Sequence, residues 1–310
     1  MSGTFFIGSG ARAARTLRLA HALPASHPVH KSMANFADLV TERSGGALAI
    51  ELYADGLIGQ EADLIEQVKA GLLDFTKASA SVLDAVNPGY QIFNIPFLLR
   101  DKEHWRRIVM GAIGASILED GGSVVGLTFY DAGARNFYGQ RSILHPDDLR
   151  GLKIRVQPSP STVRMIELLD AKPVPMTWSV VYSALQTGIV DGAENNLTAL
   201  VFGRHGEVAK YYSFTEHTIV PDVLLMSRRS WEQLPPPHQA IVRSAAVESA
   251  LLQSVLWDEA EAQSRQWSTE RGVVFQEPDK RAFAARLGAI KREFAERQGL
   301  ADLIMKVDRA

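Results

Sequence analysis

The sequence predicts an α/β fold of two lobes around a cleft. Strand and helix patterns alternate through the first quarter of the chain, and a helical run late in it is long enough to brace two lobes. No linker rich in Gly, Pro or Ser divides the 310 residues into separate beads. At about 150 residues per domain, that length holds two domains or one large one.

Leu17 and Leu19 alternate with polar neighbours as a strand, and Ser26-His27-Pro28 caps a helix with proline in its first turn. Val29, Met33, Phe36 and Val40 form its apolar stripe, and Ser44-Gly45-Gly46 stops it. Leu48, Ile50 and Leu52 form a second strand. After the Asp55-Gly56 turn, Leu64, Ile65 and Val68 mark a helix closed by Gly71, and a strand runs through Leu73 and Phe75. This β-α-β-α-β order predicts a mainly parallel sheet with right-handed crossovers and a ligand crevice beyond the carboxyl ends of its strands. A second strand-rich block holds Val124 to Phe129 and Leu152 to Val156, then a helix from Thr162 to Asp170 and another from near Ser179. After Pro235-Pro236-Pro237, a helix carries Ile241, Ala245, Leu252 and Leu256 towards Arg271-Gly272. With no repeat or linker, the lobes are expected to exchange chain more than once. Residues 1–15 lack periodicity and are read as a tail outside the fold; their apolar run, Phe5 to Ile7, is too short for an export signal.

Composition narrows the function. Hydrophobic residues at 46% and charged residues at 22% are ordinary globular values, and 33 Lys and Arg against 35 Asp and Glu leave no basic surplus for nucleic acid. The absence of cysteine removes disulfides, thiolate nucleophiles and Cys-ligated metals. The longest nearly apolar stretch, Ile92 to Leu99, contains Asn94 and Pro96 and is too short to insert in a bilayer. Phosphate-loop, dinucleotide, zinc-protease and nucleophile-elbow motifs are all missing, so no cofactor or metal is expected.

Three segments remain. In Leu152-Lys153-Ile154-Arg155-Val156, alternation sends Arg155 to the face opposite the apolar residues, where pattern alone makes it solvated. Tyr130-Asp131-Ala132-Gly133-Ala134-Arg135-Asn136-Phe137 sets an arginine beyond a strand beside glycine and aromatics. Gly192-Ala193-Glu194-Asn195-Asn196 offers paired amides, or only a turn.

Between residues 16 and about 300, the order of motifs resembles the substrate-binding proteins of tripartite ATP-independent periplasmic (TRAP) transporters, the DctP type. The resemblance rests on Gly59 in the Leu57 to Glu61 turn, Gly71-Leu72-Leu73-Asp74-Phe75, Ile95-Pro96-Phe97, Gly151 to Val156, Pro175-Met176, Val181 to Gly188, and Val190 to Asn195. It implies a two-lobe periplasmic-binding-protein-like fold with an interlobe ligand cleft and a long bracing helix. Lobe I would hold residues 16–131 plus about 221–262, and lobe II about 132–220 plus 263–310. A small organic acid would bind without turnover and pass to TRAP membrane permease subunits, in the periplasm, from a monomeric binding protein. Within the resemblance, Arg155 holds the ligand carboxylate, Arg135 and Asn195 touch the ligand, and Trp178 packs on its body or belongs to the lobe core. The implied ligand set also takes in Lys77, Ser79, Tyr130 and His21. Guanidinium geometry suits the first role, because it gives two parallel charge-assisted bonds to a carboxylate.

Phe129 to Phe137, Glu194 to Asn196, Thr215 to His217 and Pro221-Asp222 narrow the resemblance to a sugar-acid branch, binders of hexuronates and aldonates such as glucuronate and galacturonate. There the acidic residue, here Asp222, accepts bonds from hydroxyls and would repel the second charge of a C4-dicarboxylate, the competing ligand class. Lys77 is open to three places: neutralising Asp222, pairing a second carboxylate, or outside the site. The chain departs from the branch with Asp222 for Glu, Trp178 for Phe and Leu197 for Trp. An isomerase or dehydratase on sugar acids would instead use His217 or Asp222 for proton transfer, and a ligand-sensing domain is a third possibility.

Overall fold

The computed structural model describes residues 14–84, 86–119, 122–296 and 299–310. In chain order the elements are β1 (Arg15–Ala20), α1 (Pro28–Arg43), β2 (Leu48–Tyr53), α2 (Glu61–Lys69), β3 (Phe75–Ser79), α3 (Lys102–Met110), α4 (Ala112–Glu119), β4 (Val124–Tyr130), β5 (Ala134–Gly139), β6 (Lys153–Val156), α5 (Pro160–Leu168) and β7 (Lys172–Pro175). They continue with α6 (Val181–Gln186), β8 (Gly192–Asn195), α7 (Ala199–Phe202), β9 (Tyr211–Ile219), β10 (Asp222–Ser227), α8 (Arg228–Glu232), α9 (Pro236–Glu270), β11 (Val274–Gln276), α10 (Lys280–Ala295) and α11 (Leu300–Arg309). Residues 1–13 of the expected tail lie outside the described residues, whereas Arg15, also assigned to that tail, pairs with Leu48 in β1.

Two sheets organise the chain, in the orders β2-β1-β3-β10-β4 and β11-β9-β5-β8-β6-β7. The parallel order expected of the β-α-β-α-β segment holds for β1, β2 and β3, and the complete sheets are mixed. β1 runs parallel to β2 and β3, but β10 is antiparallel to β3 and β4, and β5 is antiparallel to β8 and β9. The antiparallel strands flank the crossings between sheets, so their direction follows from long-range return of the chain, to which local periodicity is blind. β4, read by its pattern with the second strand-rich block and placed by the resemblance in lobe I, joins the first sheet beside β10.

The chain crosses from β4 to β5 through residues 131–133 and returns from β9 to β10 through Val220-Pro221. Gly133 lies in the first crossing at φ +63°, a left-handed conformation that favours glycine, and a Cβ there would also press on the Glu261 carboxylate and Trp257 Nε1. Gln253 on α9 holds the same crossing by both amide atoms: Asp131 N donates to Oε1 at 2.7 Å, and Nε2 donates to Asp131 O at 2.7 Å. With 35 residues, α9 is about 50 Å long; its buried stripe includes Val242, Ala246, Gln253, Trp257 and Ser264, and it packs on α1, β4 and α7. Residues 300–309, placed with the second lobe by the sequence, form α11, which packs on α10 of that lobe and also on α4 and Pro88–Asn94. There the ring Nε2 of His104 on α3 lies 3.0 Å from Val307 O.

Candidate functional site

A cavity of about 250 Å³ opens between the two sheets, just below the about 300–1,000 Å³ typical of drug-sized clefts and suited to a small metabolite. Its lining includes Arg155, Arg135 and Asn195 from strands of the second sheet, Trp178 from the turn between β7 and α6, and Lys77, Ser79 and Asp222 from strands of the first. Ser79 Oγ donates to Gln157 Oε1 at 3.3 Å, joining the strand end of β3 to the turn after β6 across the cleft.

β6 is a four-residue strand paired on both edges, with β8 and β7, and Arg155 on it is 2% exposed. The solvated placement suggested by alternation is therefore corrected: the Arg155 side chain is buried and faces the cavity between the sheets. Arg155 Nε and Nη2 donate to Met176 O at 3.2 and 2.8 Å, and among the described residues no carboxylate forms an ion pair with the guanidinium. Burial lowers its pKa below the ordinary arginine value, the signature of a buried cation short of a counter-charge.

Arg135 on β5 has a different environment. Nε donates to Glu194 Oε2 at 2.5 Å, Nη2 to Glu194 Oε1 at 2.8 Å and to Glu194 O at 2.9 Å, and Nη1 to Asn195 Oδ1 at 3.0 Å. The register of β5 against β8 places these residues on adjacent strands. Burial alone would raise the Glu194 pKa, but Arg135 and His217 outweigh it and bring the carboxyl down to about 2. Asn195 Oδ1 also accepts from Asn196 N at 2.9 Å, which leaves the Asn195 side-chain NH2 as its group for a ligand.

On the first-sheet side, Lys77 Nζ donates to Asp222 Oδ1 at 3.0 Å and to Glu61 Oε1 at 3.1 Å. Burial would lower the Lys77 pKa, but Asp222 and Glu61 override it and keep the ammonium protonated. Of the three places open to Lys77, it takes the one beside Asp222 and adds a second partner. Trp178 packs on His205, ring centroids 5.0 Å apart, and His205 Nδ1 lies 2.8 Å from the Tyr138 hydroxyl.

Two expected site residues lie elsewhere. The Tyr130 hydroxyl is 2.9 Å from Ser249 Oγ on α9, in the core beside Leu127 and Trp257. His21 is fully buried, with Nε2 2.9 Å from His30 Nδ1 and Nδ1 accepting from Leu23 N at 3.2 Å. The pleat turns Tyr130 towards α9, while His21 closes the loop between β1 and α1. His217, the proton-transfer candidate of the enzyme alternative, is also outside the cavity lining. It stacks on Phe137 at 4.7 Å, with Nε2 3.6 Å from Glu194 Oε2.

Among the lining residues that the sequence reading did not place in the site are Glu61, His27 and Gln157. Glu61 ends the Leu57 to Glu61 turn and is the first residue of α2, so the signal was a carboxylate at a helix start beside a singled-out glycine. His27, read only as part of a cap, is the N-cap of α1, and its Nδ1 accepts from Val29 N at 3.2 Å. Among the described residues no group of three His, Cys, Asp or Glu side chains is placed to hold a metal ion, and no helix is long and apolar enough to cross a membrane.

Comparison with known proteins places this geometry. Residues 19–298 match the family DctP, described as bacterial extracellular solute-binding protein, family 7. A TRAP periplasmic solute-binding protein from Xanthobacter autotrophicus Py2, with bound β-D-galacturonate, is similar over 95% of this chain and 99% of its own, at 38% identity and a TM-score of 0.93. One from Pseudomonas putida F1, with bound D-glucuronate, is similar over 96% and 97%, at 32% identity and a TM-score of 0.92. The 2,3-diketo-L-gulonate-binding periplasmic protein YiaO of Escherichia coli (strain K12) is 28% identical over 99% of this chain and 95% of its own length. The chain therefore belongs to the DctP family of bacterial extracellular solute-binding proteins, and it is a binding protein and not an enzyme.

Proposed function

We propose that the protein binds a hexuronate, or a closely related sugar acid, between its lobes and delivers it in the periplasm to the membrane permease of a TRAP transporter. The observation that carries this reading is Arg155, a buried guanidinium lining the cleft with no carboxylate paired to it among the described residues. A ligand carboxylate supplies the missing charge and two parallel N–H···O bonds, which a closed cleft screens far less than a surface does. Arg135, already paired with Glu194, orients the Asn195 amide; Trp178 covers the sugar ring; and Asp222 accepts from a hydroxyl. Uronates bound to similar proteins support the ligand class.

The working event is closure. The lobes are residues 16–131 with about 221–262, and about 132–220 with 263–310. Ligand bridging the two favours the closed form by its differential affinity, and the closed monomer is what the permease meets.

A thermal-shift screen of uronates, aldonates, C4-dicarboxylates and keto acids tests the reading, because a ligand stabilises the native state in proportion to the logarithm of its concentration over Kd. D-glucuronate or D-galacturonate is expected to give the largest rise in Tm. Succinate or malate giving the largest rise, with uronates inert, rejects it.

A further inference from the structure

Trp178 lines the cavity, and two residues that do not line it, Gly203 and His205, pack on the indole. The backbone at Gly203, just after α7, has φ −92° and ψ −4°, a right-handed conformation open to any L residue, so the path of the chain does not call for glycine there. What calls for it is room: a Cβ would come within 2.7 Å of Trp178 Cη2, 2.8 Å of His205 Nε2 and 2.9 Å of Ala199 O. Of these three neighbours the indole is the one able to give way. Ala199 O is a carbonyl of α7 that accepts from Gly203 N at 3.1 Å. His205 is buried and stacked on Tyr138, ring centroids 5.7 Å apart, with the tyrosine hydroxyl on its Nδ1. Burial, with Arg155 nearby, lowers the His205 pKa to about 3, so the indole rests on a neutral ring. Trp178 itself is half-buried, sits in a three-residue turn without a side-chain cap, and has the cavity on its open side.

We infer that Gly203 is a positioning residue that sets the size of ligand the cleft accepts. Lacking a side chain, it lets the Trp178 indole lie back on His205, and the retracted indole leaves the cleft deep enough for a six-membered sugar ring. The inference rests on the sugar-acid reading above and deepens it: Arg155 and Asp222 answer the ligand's charge and hydroxyls, while Gly203, outside the lining, sets the space for its ring. Close-packed neighbours transmit the displacement of an added methyl instead of absorbing it. In a cavity of about 250 Å³, an indole pushed inwards takes volume that a pyranose ring needs.

The test is calorimetric titration of D-glucuronate and D-galacturonate into wild type, Gly203→Ala, Trp178→Phe and the double variant, with melting curves showing which of them fold. Gly203→Ala is expected to weaken both uronates about thirtyfold. Phenylalanine lacks the outer ring that carries Cη2, so in its presence the same methyl is expected to cost less than about threefold, the double variant binding as Trp178→Phe alone does. A role in folding alone would lower the melting temperature without this rescue of affinity. A folded Gly203→Ala that binds uronates as wild type does overturns the inference, and so does an equal loss in the Trp178 and Phe backgrounds. Should Gly203→Ala fail to fold, the double variant, which has room for the methyl, still decides: binding within about threefold of Trp178→Phe supports the inference, and binding about tenfold or more weaker overturns it. Failure of wild type to bind either uronate defeats the sugar-acid reading itself, and this inference with it.

Discussion

Arg135 and Arg155 stand on the same sheet, separated by β8, and both are almost fully buried, yet their surroundings differ in kind. Arg135 is held by both oxygens of Glu194, by that residue's carbonyl and by the Asn195 amide oxygen. Arg155, among the described residues, donates only to the Met176 carbonyl. A fully paired buried guanidinium fixes structure, because its charge is already compensated; an unpaired one is destabilising to the empty protein and keeps its charge for a ligand. In the proposed reading the two arginines divide the work: Arg135, held by Glu194, builds the wall of the cleft, and Arg155 keeps its charge for the ligand.

The division is broken most severely at the paired member. Arg135→Ala strands Glu194 in the core and is expected to destabilise the protein by about 3–5 kcal/mol, read as a lower urea midpoint. Acid should act through the same pair. The Glu194 pKa is about 2, below its ordinary 4.5, so its contribution is present above about pH 4.5 and is lost as pH falls towards 2. The difference corresponds to roughly 3 kcal/mol, and urea titrations across that range should show the loss in wild type and not in Arg135→Ala. Arg155→Met should do the converse, leaving the urea midpoint unchanged or higher while weakening uronate binding roughly a hundredfold, or about 2.7 kcal/mol. Equal loss of stability in both arginine variants would erase the contrast. Asp222→Ala is the smallest of the four, a loss of about tenfold for polyhydroxylated acids with simple carboxylates spared, measured by competition titration.

Local elements were readable in the sequence because their signals are local. The Val29, Met33, Phe36 and Val40 stripe became α1, Ser44-Gly45-Gly46 ended it, and the prolines at 235–237 opened the long helix. What pattern could not supply was anything set by distant chain. Alternation placed Arg155 in water because a four-residue strand says nothing about which elements cover its second face. Tyr130 was drawn into the site by its neighbours in the motif, while its hydroxyl answers Ser249, 119 residues away. Glu61 was passed over because one carboxylate at a helix start has an ordinary explanation, favourable interaction with the helix dipole, and only the return of β10 beside β3 reveals its share in Lys77.

A crystal structure of the protein with D-glucuronate or D-galacturonate tests the central claim most directly. The predicted result is the ligand carboxylate paired through two parallel bonds with the Arg155 guanidinium, at about 2.7–2.9 Å, with Arg135 still on Glu194. A carboxylate bound elsewhere, with Arg155 still donating only to Met176 O, would contradict it.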